Sequence, residues 1–408
     1  MNKDLFLFAL RNVFRHRARS AATLAAIAIG VAGLILAGGF VKDIFAQLGE
    51  AIIHSQTGHI QITAQGYREG KSRDPEKYLI KAPEQLKKTI ERESPEIQYT
   101  MARVKFSGLL NNGRRDLGII GEGIETAAEE KAGTYLRYIS GRALAATDSD
   151  GIVLGEGVAK SLGVLVGDRI TLVVTLAAGA VNTLDFQVTG VFQSFSKEFD
   201  AHAVRIPIDA AMILMDSSAA HIVIAMLDDT KNTSAAVNRI KQQISKNGYE
   251  VTGWNNLSDF YEKTVELYDR QFGILQMIIL VMVVLSVANS VNMTLFERTR
   301  EFGTMRALGD HPSGIFHLIV TESFCLGFIG ALLGMLLGIA LALLISSIGI
   351  PMPPPPNSNL GYTAVIRLEV MPILGAGATG YFACVLASLM PARRASKLEI
   401  VDALHHGI

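Results

Sequence analysis

The chain has 408 residues, 49% of them hydrophobic, and a mean hydropathy of +0.31, an apolar excess beyond that of an ordinary water-soluble protein. Lys+Arg and Asp+Glu both total 38, which gives no sign of the charge imbalance or charged tail of a nucleic-acid-binding chain. The two cysteines, Cys325 and Cys384, stand in apolar blocks, where helix packing is expected rather than a disulfide.

Residues 1–20 carry Lys3, Arg11, Arg15, Arg17 and Arg19, and residues 21–40 form the first uncharged run. At about 1.5 Å per helical residue that run crosses the roughly 30 Å hydrocarbon core. It also exceeds the ~7–15 apolar residues of a signal peptide, so a retained transmembrane helix is expected rather than a cleaved leader. Within it Ala22, Ala26 and Gly30 recur at every fourth position, a small-residue ladder that lets helix backbones approach closely in lipid.

Residues 41–271 return to a mixed, soluble composition. Helical periodicity leaves the membrane through Val41, Ile44, Phe45, Leu48 and Ile52 and returns through Leu257, Phe260, Tyr261, Val265 and Tyr268, which predicts two helical stalks. Between them the patterning predicts strands at 59–63, 97–106, 117–124, 151–154, 169–174, 184–195, 221–227 and 249–254. Helices are expected over 83–93, 126–138 and 231–246, giving an α+β domain of two subdomains, held without cysteine by burial alone. Gly121-Glu122-Gly123 and Gly155-Glu156-Gly157 lack the third glycine and the Walker lysine of nucleotide loops, and read as turns. Asp148-Ser149-Asp150-Gly151 lacks the spaced ligands and terminal Glu of a calcium loop. With no H-E-x-x-H pair and no G-x-S-x-G elbow, neither catalytic residues nor a metal or cofactor site is expected in this chain.

Residues 272–293 form the second span, in which Asn289 and Asn292 are expected to hydrogen-bond between helices. No series of Asp, Lys or Arg crosses the spans, which argues against an ion or proton path. The loop 294–314 contains Phe296–Gly309, which predicts a short amphipathic helix along the membrane surface. Phe302 and Met305 stand one turn apart, Glu297 is placed to pair with Arg300, Arg306 projects clear, and Gly309 and Pro312 stop the helix. Such a helix serves either a partner or simply the membrane interface.

Residues 315–350 are long for one straight crossing, roughly 54 Å if wholly helical, so their first part, with Glu322, is expected at the cytoplasmic interface. Gly330, Gly334 and Gly338 make a second small-residue ladder. A proline-rich loop at 351–370 reads as a stiff polyproline cap before the fourth span at 371–390 and a tail at 391–408. Arg298, Arg300, Arg306, Arg393, Arg394 and Lys397 join the basic leader in placing both termini and 294–314 in the cytoplasm, with 41–271 and 351–370 outside.

The run Glu297-Arg298-x-Arg300-Glu301-x-Gly303-x-Met305-Arg306-Ala307-Leu308-Gly309 resembles the coupling helix of the type VII ABC transporter permeases, the family of the MacB, LolC/LolE and FtsX proteins. Leu5–Arg19 resembles that family's interfacial elbow helix, Ile152–Leu172 its periplasmic core domain, and Pro391–Lys397 with Val401–Leu404 its C-terminal signature. The resemblance spans the chain. It implies an α-helical membrane protein with four transmembrane helices plus a large α+β, MacB-like periplasmic domain on helical stalks, in the bacterial inner membrane. It implies that Glu297, Arg298, Arg300, Glu301, Phe302, Gly303, Met305 and Arg306 contact a separate ABC ATPase, which binds ATP and Mg. It further implies a second permease copy or paralogue, surrounding lipid, and mechanotransmission, in which motion made by the ATPase reaches the periplasmic domain.

MacB proteins carry their ATPase on the same chain, whereas about twenty residues precede the first span here, so the layout is most similar to LolC/LolE and implies release of lipoproteins or lipid-linked substrates. A periplasmic lipoprotein carrier or an adaptor would then be a further partner. Efflux or peptide export through an adaptor and outer-membrane channel, and control of a cell-wall hydrolase, are the alternatives.

Overall fold

A computed structural model describes residues 17–70, 75–132, 135–176, 179–354 and 361–397. Almost all of the Leu5–Arg19 segment, part of the proline-rich loop, and Val401–Leu404 lie outside the described residues. The chain divides into a sheet unit, residues 46–264 with 352–362, and a helical unit made of the rest.

In the sheet unit the strands are β1 (Ile60–Ala64), β2 (Ile97–Asn111), β3 (Asp116–Ile124), β4 (Arg137–Gly141) and β5 (Gly151–Gly155). They continue as β6 (Arg169–Thr175), β7 (Val181–Gln193), β8 (Ala203–Pro207), β9 (Ile222–Leu227) and β10 (Tyr249–Gly253). All join one sheet in the order β10-β1-β9-β2-β3-β8-β5-β7-β4, with β6 pairing β2 and β7. The expected two subdomains give way to a single sheet, and two of its apolar cores lie under helices. One gathers Val104, Leu110, Ile152, Leu172 and Phe186 under the helices Glu156–Leu162 and Ile208–Leu214. The other packs Ile60, Ile62 and Val223 against Pro83–Glu93 and Thr233–Ile244.

Several expectations need correction. The helix expected through residue 138 ends at Ala132, and Arg137-Tyr138-Ile139, rich in β-formers, is strand β4. Strand β8 and the helices Glu156–Leu162 and Ile208–Leu214 were not anticipated. Neither G-E-G motif is a simple turn. Gly121 lies inside β3, where a Cβ would fall 2.0 Å from the Phe106 ring. Gly155 ends β5 at the start of a helix, and its Cβ would fall 2.3 Å from the Asp200 carbonyl oxygen. Both glycines therefore serve close packing.

Among the described residues, four helices are long and apolar enough to cross a membrane, within Arg17–Ile52, Asp259–Glu297, Pro312–Ile348 and Val370–Ser396. The second begins at Asp259, two residues inside the expected stalk limit. The third runs unbroken for 37 residues, about 56 Å. Its glycine ladder faces the first helix: a Cβ would lie 3.0 Å from Ile27 at Gly330, 2.7 Å from Val31 at Gly334 and 2.9 Å from Ile35 at Gly338. In the first ladder Ala22 is exposed and Ala26 half-buried, and a Cβ at Gly30 would meet Val283 of the second helix at 2.5 Å. Thr23 and Ser290 make a hydrogen bond between the first and second helices. Asn289, expected in that role, is exposed.

The segment before the fourth helix is clasped to the first. The buried Asp43 carboxylate accepts from the Val365 N–H at 3.1 Å and lies 3.6 Å from Arg367 Nε, while the Arg367 N–H donates to the Gly39 carbonyl at 3.2 Å. Short strands β11 (Ile350–Met352) and β12 (Tyr362–Ala364) pair on either side of the proline-rich loop, whose residues 355–360 lie outside the described residues.

Candidate coupling site

The second-span helix continues through Glu297, breaks at Arg298, and resumes as Thr299–Ala307. Gly309 ends this short helix at φ +103°. The Asp310 N–H reaches the Met305 carbonyl at 3.0 Å and the Gly309 N–H the Arg306 carbonyl at 3.1 Å, the paired bonds of a Schellman stop. Pro312, expected to help stop this helix, instead occupies the first turn of the next one, capped by His311, where its missing N–H costs no bond.

Arg298 is the pivot of the break and is only 5% exposed. Its Nη1 donates to both carboxylate oxygens of Glu322 at 2.9 Å, its Nε donates to Glu301 at 2.8 Å, and its guanidinium carbon sits 5.0 Å from the centroid of the Phe302 ring. Phe302 and Gly303 are buried, and Met305 packs half-buried against the same helix-bundle core. Arg306 and Glu301 are half-buried, while Glu297, Arg300, Thr304, Ala307 and Leu308 are exposed. Residues 300, 304 and 307–308 share one side of a helix. The predicted site residues thus fall into a seated group, led by Arg298 and Phe302, and an outward group, led by Glu297 and Arg300. Sequence reasoning missed Glu322 as a partner, although a lone carboxylate in an apolar block is itself a signal for one.

In the sheet unit, a polar chain surrounds the first stalk. Buried His59 accepts the Leu227 N–H at Nδ1 (3.2 Å), and its Nε2 meets the Thr230 hydroxyl at 3.0 Å, which donates to Glu50 at 2.7 Å. Burial pushes the His59 imidazole down to about 4. Glu122 is buried, which would raise its carboxyl, but Arg103, Lys105 and Arg205 outweigh that and hold it at about 2. Both groups bind protons less readily when folded. Their stabilisation is present above the unfolded values of 6.5 and 4.5 and is lost as pH falls through about 4 and about 2 respectively. The expected result is an unfolding midpoint that drops between pH 7 and pH 4, on the order of 2–3 kcal/mol from His59, and that flattens over this range in His59→Gln. Denaturant titrations followed by circular dichroism at several pH values would show it, and a flat wild-type profile would refute it.

Comparison with known sequences agrees with this architecture. The MacB-like periplasmic core domain profile matches residues 20–243 and the FtsX-like permease C-terminal profile matches residues 273–400. The chain belongs to the family of membrane permeases built on these two modules, the type VII ABC transporter permeases. It is an ABC transporter permease subunit. The lipoprotein-releasing system transmembrane protein LolC of Neisseria meningitidis serogroup B is 25% identical over 404 residues, covering 94% of this chain and 93% of that protein. The pyoverdine export ATP-binding/permease protein PvdT of Pseudomonas savastanoi pv. phaseolicola is 29% identical over 236 residues, which cover 55% of this chain and 34% of that protein. The crystallised periplasmic region of MacB from Actinobacillus actinomycetemcomitans aligns over 53% of this chain and 95% of its own, at a TM-score of 0.37 and 17% identity.

Proposed function

We propose that this permease works by mechanotransmission. A separate ABC ATPase binds ATP and Mg and closes against the outward face of Thr299–Ala307, and the long helices carry the movement to the sheet unit. The observation that carries this reading is the two-sided construction of the short helix: Arg298 and Phe302 seat one side while Arg300, Thr304 and Leu308 are left exposed on the other. A helix used only as an interfacial float would need no buried ion pair to set its angle. In this reading both termini and 294–314 are cytoplasmic, the sheet unit is periplasmic, and a second permease copy or paralogue completes a dimer in the inner membrane.

The cargo we assign is a lipoprotein or lipid-linked molecule released from the inner membrane, with a periplasmic carrier as receiver. The full-length likeness to a lipoprotein-releasing protein supports it. Export through an adaptor is the second reading, supported by the likeness to a pyoverdine exporter.

The test is to purify the full chain with its ATPase in nanodiscs and substitute the outward face. Arg300→Glu with Leu308→Asp is expected to lower permease-stimulated ATP hydrolysis about tenfold at unchanged expression, the cost of about 1.4 kcal/mol at an interface. Thr304→Trp probes the same face without disturbing the buried Gly303. Wild-type stimulation in both variants would refute the docking face.

A further inference from the structure

The first-span helix changes form as it ends. Arg17–Ile52 is α-helical, but Ile53–Thr57 is a π turn, closed by the Gly58 N–H on the Ile53 carbonyl at 2.8 Å with Gly58 at φ +66°. The last carbonyls of a helix have no partners within it. Here three of the last four are met by side chains of the strands: Arg205 Nη2 donates to the Ser55 carbonyl, Arg103 Nη1 to that of Gln56 at 2.7 Å, and Gln61 Nε2 to that of Thr57 at 2.9 Å.

The two arginines belong to a buried network of four charges. Arg103, Glu122, Glu129 and Arg205 are 2%, 4%, 5% and 1% exposed. On β2, β3 and β8, Lys105 stands opposite Glu122, which stands opposite Arg205. Glu122 accepts from Arg205 Nε at 3.2 Å and from Arg103 Nη1 at 3.4 Å, while Glu129, from helix Thr126–Ala132, accepts from Arg103 Nε at 3.0 Å. Two positive and two negative charges balance, and both guanidiniums keep an arm for the helix end, where the helix dipole is negative.

Burying such ions costs as much desolvation as their attraction returns, so stability alone is a poor reason for them. Apolar contact is non-directional, and a helix end held by packing alone would be free to slide. Guanidinium-to-carbonyl bonds fix both direction and distance. The return connection at Trp254–Asn256 is held by the Trp254 N–H on the His59 carbonyl at 3.0 Å and by Arg68, an exposed side chain, on the Asn256 carbonyl at 2.7 Å, rather than by buried guanidiniums.

We propose that Arg103 and Arg205 are positioning residues that transfer displacement of the first-span helix to β2 and β8, and through Glu122 to the middle of the sheet. This rests on the mechanotransmission reading. The first stalk is then the driving one, and the π turn is its coupling to the sheet.

The test uses the full chain with its ATPase in nanodiscs, with Cys325→Ala and Cys384→Ala, and spin labels at Lys42→Cys and Arg114→Cys. Dipolar distances are measured without nucleotide and with ATP trapped by vanadate. The wild type is expected to show a nucleotide-dependent shift. Arg205→Lys keeps a charge beside Glu122 but cannot hold Glu122 and the Ser55 carbonyl together. It is expected to retain its melting temperature within a few degrees and its ATP hydrolysis, and to lose most of the shift. Arg205→Met with Glu122→Gln is expected to do the same; should that pair fail to fold, Arg205→Lys decides. A wild-type shift in Arg205→Lys would overturn the clamp and leave mechanotransmission standing. No shift in the wild type would overturn both. An equal loss in Ile53→Ala, which loosens the junction without touching a charge, would reduce the clamp to ordinary packing and overturn it too.

Discussion

Glu322→Ala is expected to destabilise the helical unit by about 3 kcal/mol and to uncouple the short helix Thr299–Ala307 from the third span. Arg298 gives both charge-assisted bonds of its Nη1 to Glu322 and is almost fully enclosed. Removing the carboxylate leaves the buried guanidinium paired with Glu301, whose side chain is itself 42% exposed. The cost falls at the low end of the range for broken buried pairs because that second contact survives. Arg298→Met combined with Glu322→Met removes both charges at similar volume and is expected to restore most of the stability but not the coupling. Thermal melts in detergent, set beside ATP hydrolysis of the complex, separate the two effects. If the double variant stimulates its ATPase as the wild type does, the ion pair has no part in coupling.

Gly334→Val should be the most damaging change in the glycine ladder. A Cβ there would lie 2.7 Å from the Val31 Cβ, 2.9 Å from the Ala28 carbonyl oxygen and 3.0 Å from the Ala28 Cα, so the backbone of the first helix would have to move. Overpacking of this kind costs about 1–3 kcal/mol, and a second branched methyl adds to it. Gly375, which has no atom within 4 Å of its would-be Cβ, supplies the opposite sign: Gly375→Ala is expected to gain about 0.5–1 kcal/mol from reduced backbone freedom in a helix. Equal melting temperatures for Gly334→Val and the wild type would mean that the first and third helices do not pack as described.

Both effects bear on one mechanical question. The proposed relay of motion needs stiff parts joined at defined points. In the helical unit these points are charged or tightly packed: Arg298 on Glu322, Asp43 on the Val365 N–H, and the glycine ladder on Ile27, Val31 and Ile35. In the sheet unit the corresponding point is the end of the first stalk. These are the places where single substitutions should disturb coupling more than expression.

What could be read from the residues in order was whatever repeats over a short window. Membrane crossings demand long uncharged runs because backbone groups in lipid must be satisfied within one helix, so four helices were visible in hydropathy alone. The stop at Gly309 was visible too, since a positive φ after a helix favours glycine. Strand β4 and the helices beside the G-E-G motifs were missed because segments of five to seven residues carry too little periodicity to outweigh their neighbours.

The decisive contacts join residues with no local relation. Arg298 finds Glu322 24 positions away, Arg103 finds the Gln56 carbonyl 47 away, and Arg205 finds the Ser55 carbonyl 150 away. An arginine in a strand looks the same in one dimension whether it meets water or a helix end. Folding sets that difference, because the pleat aims the side chain and a distant segment supplies its acceptor.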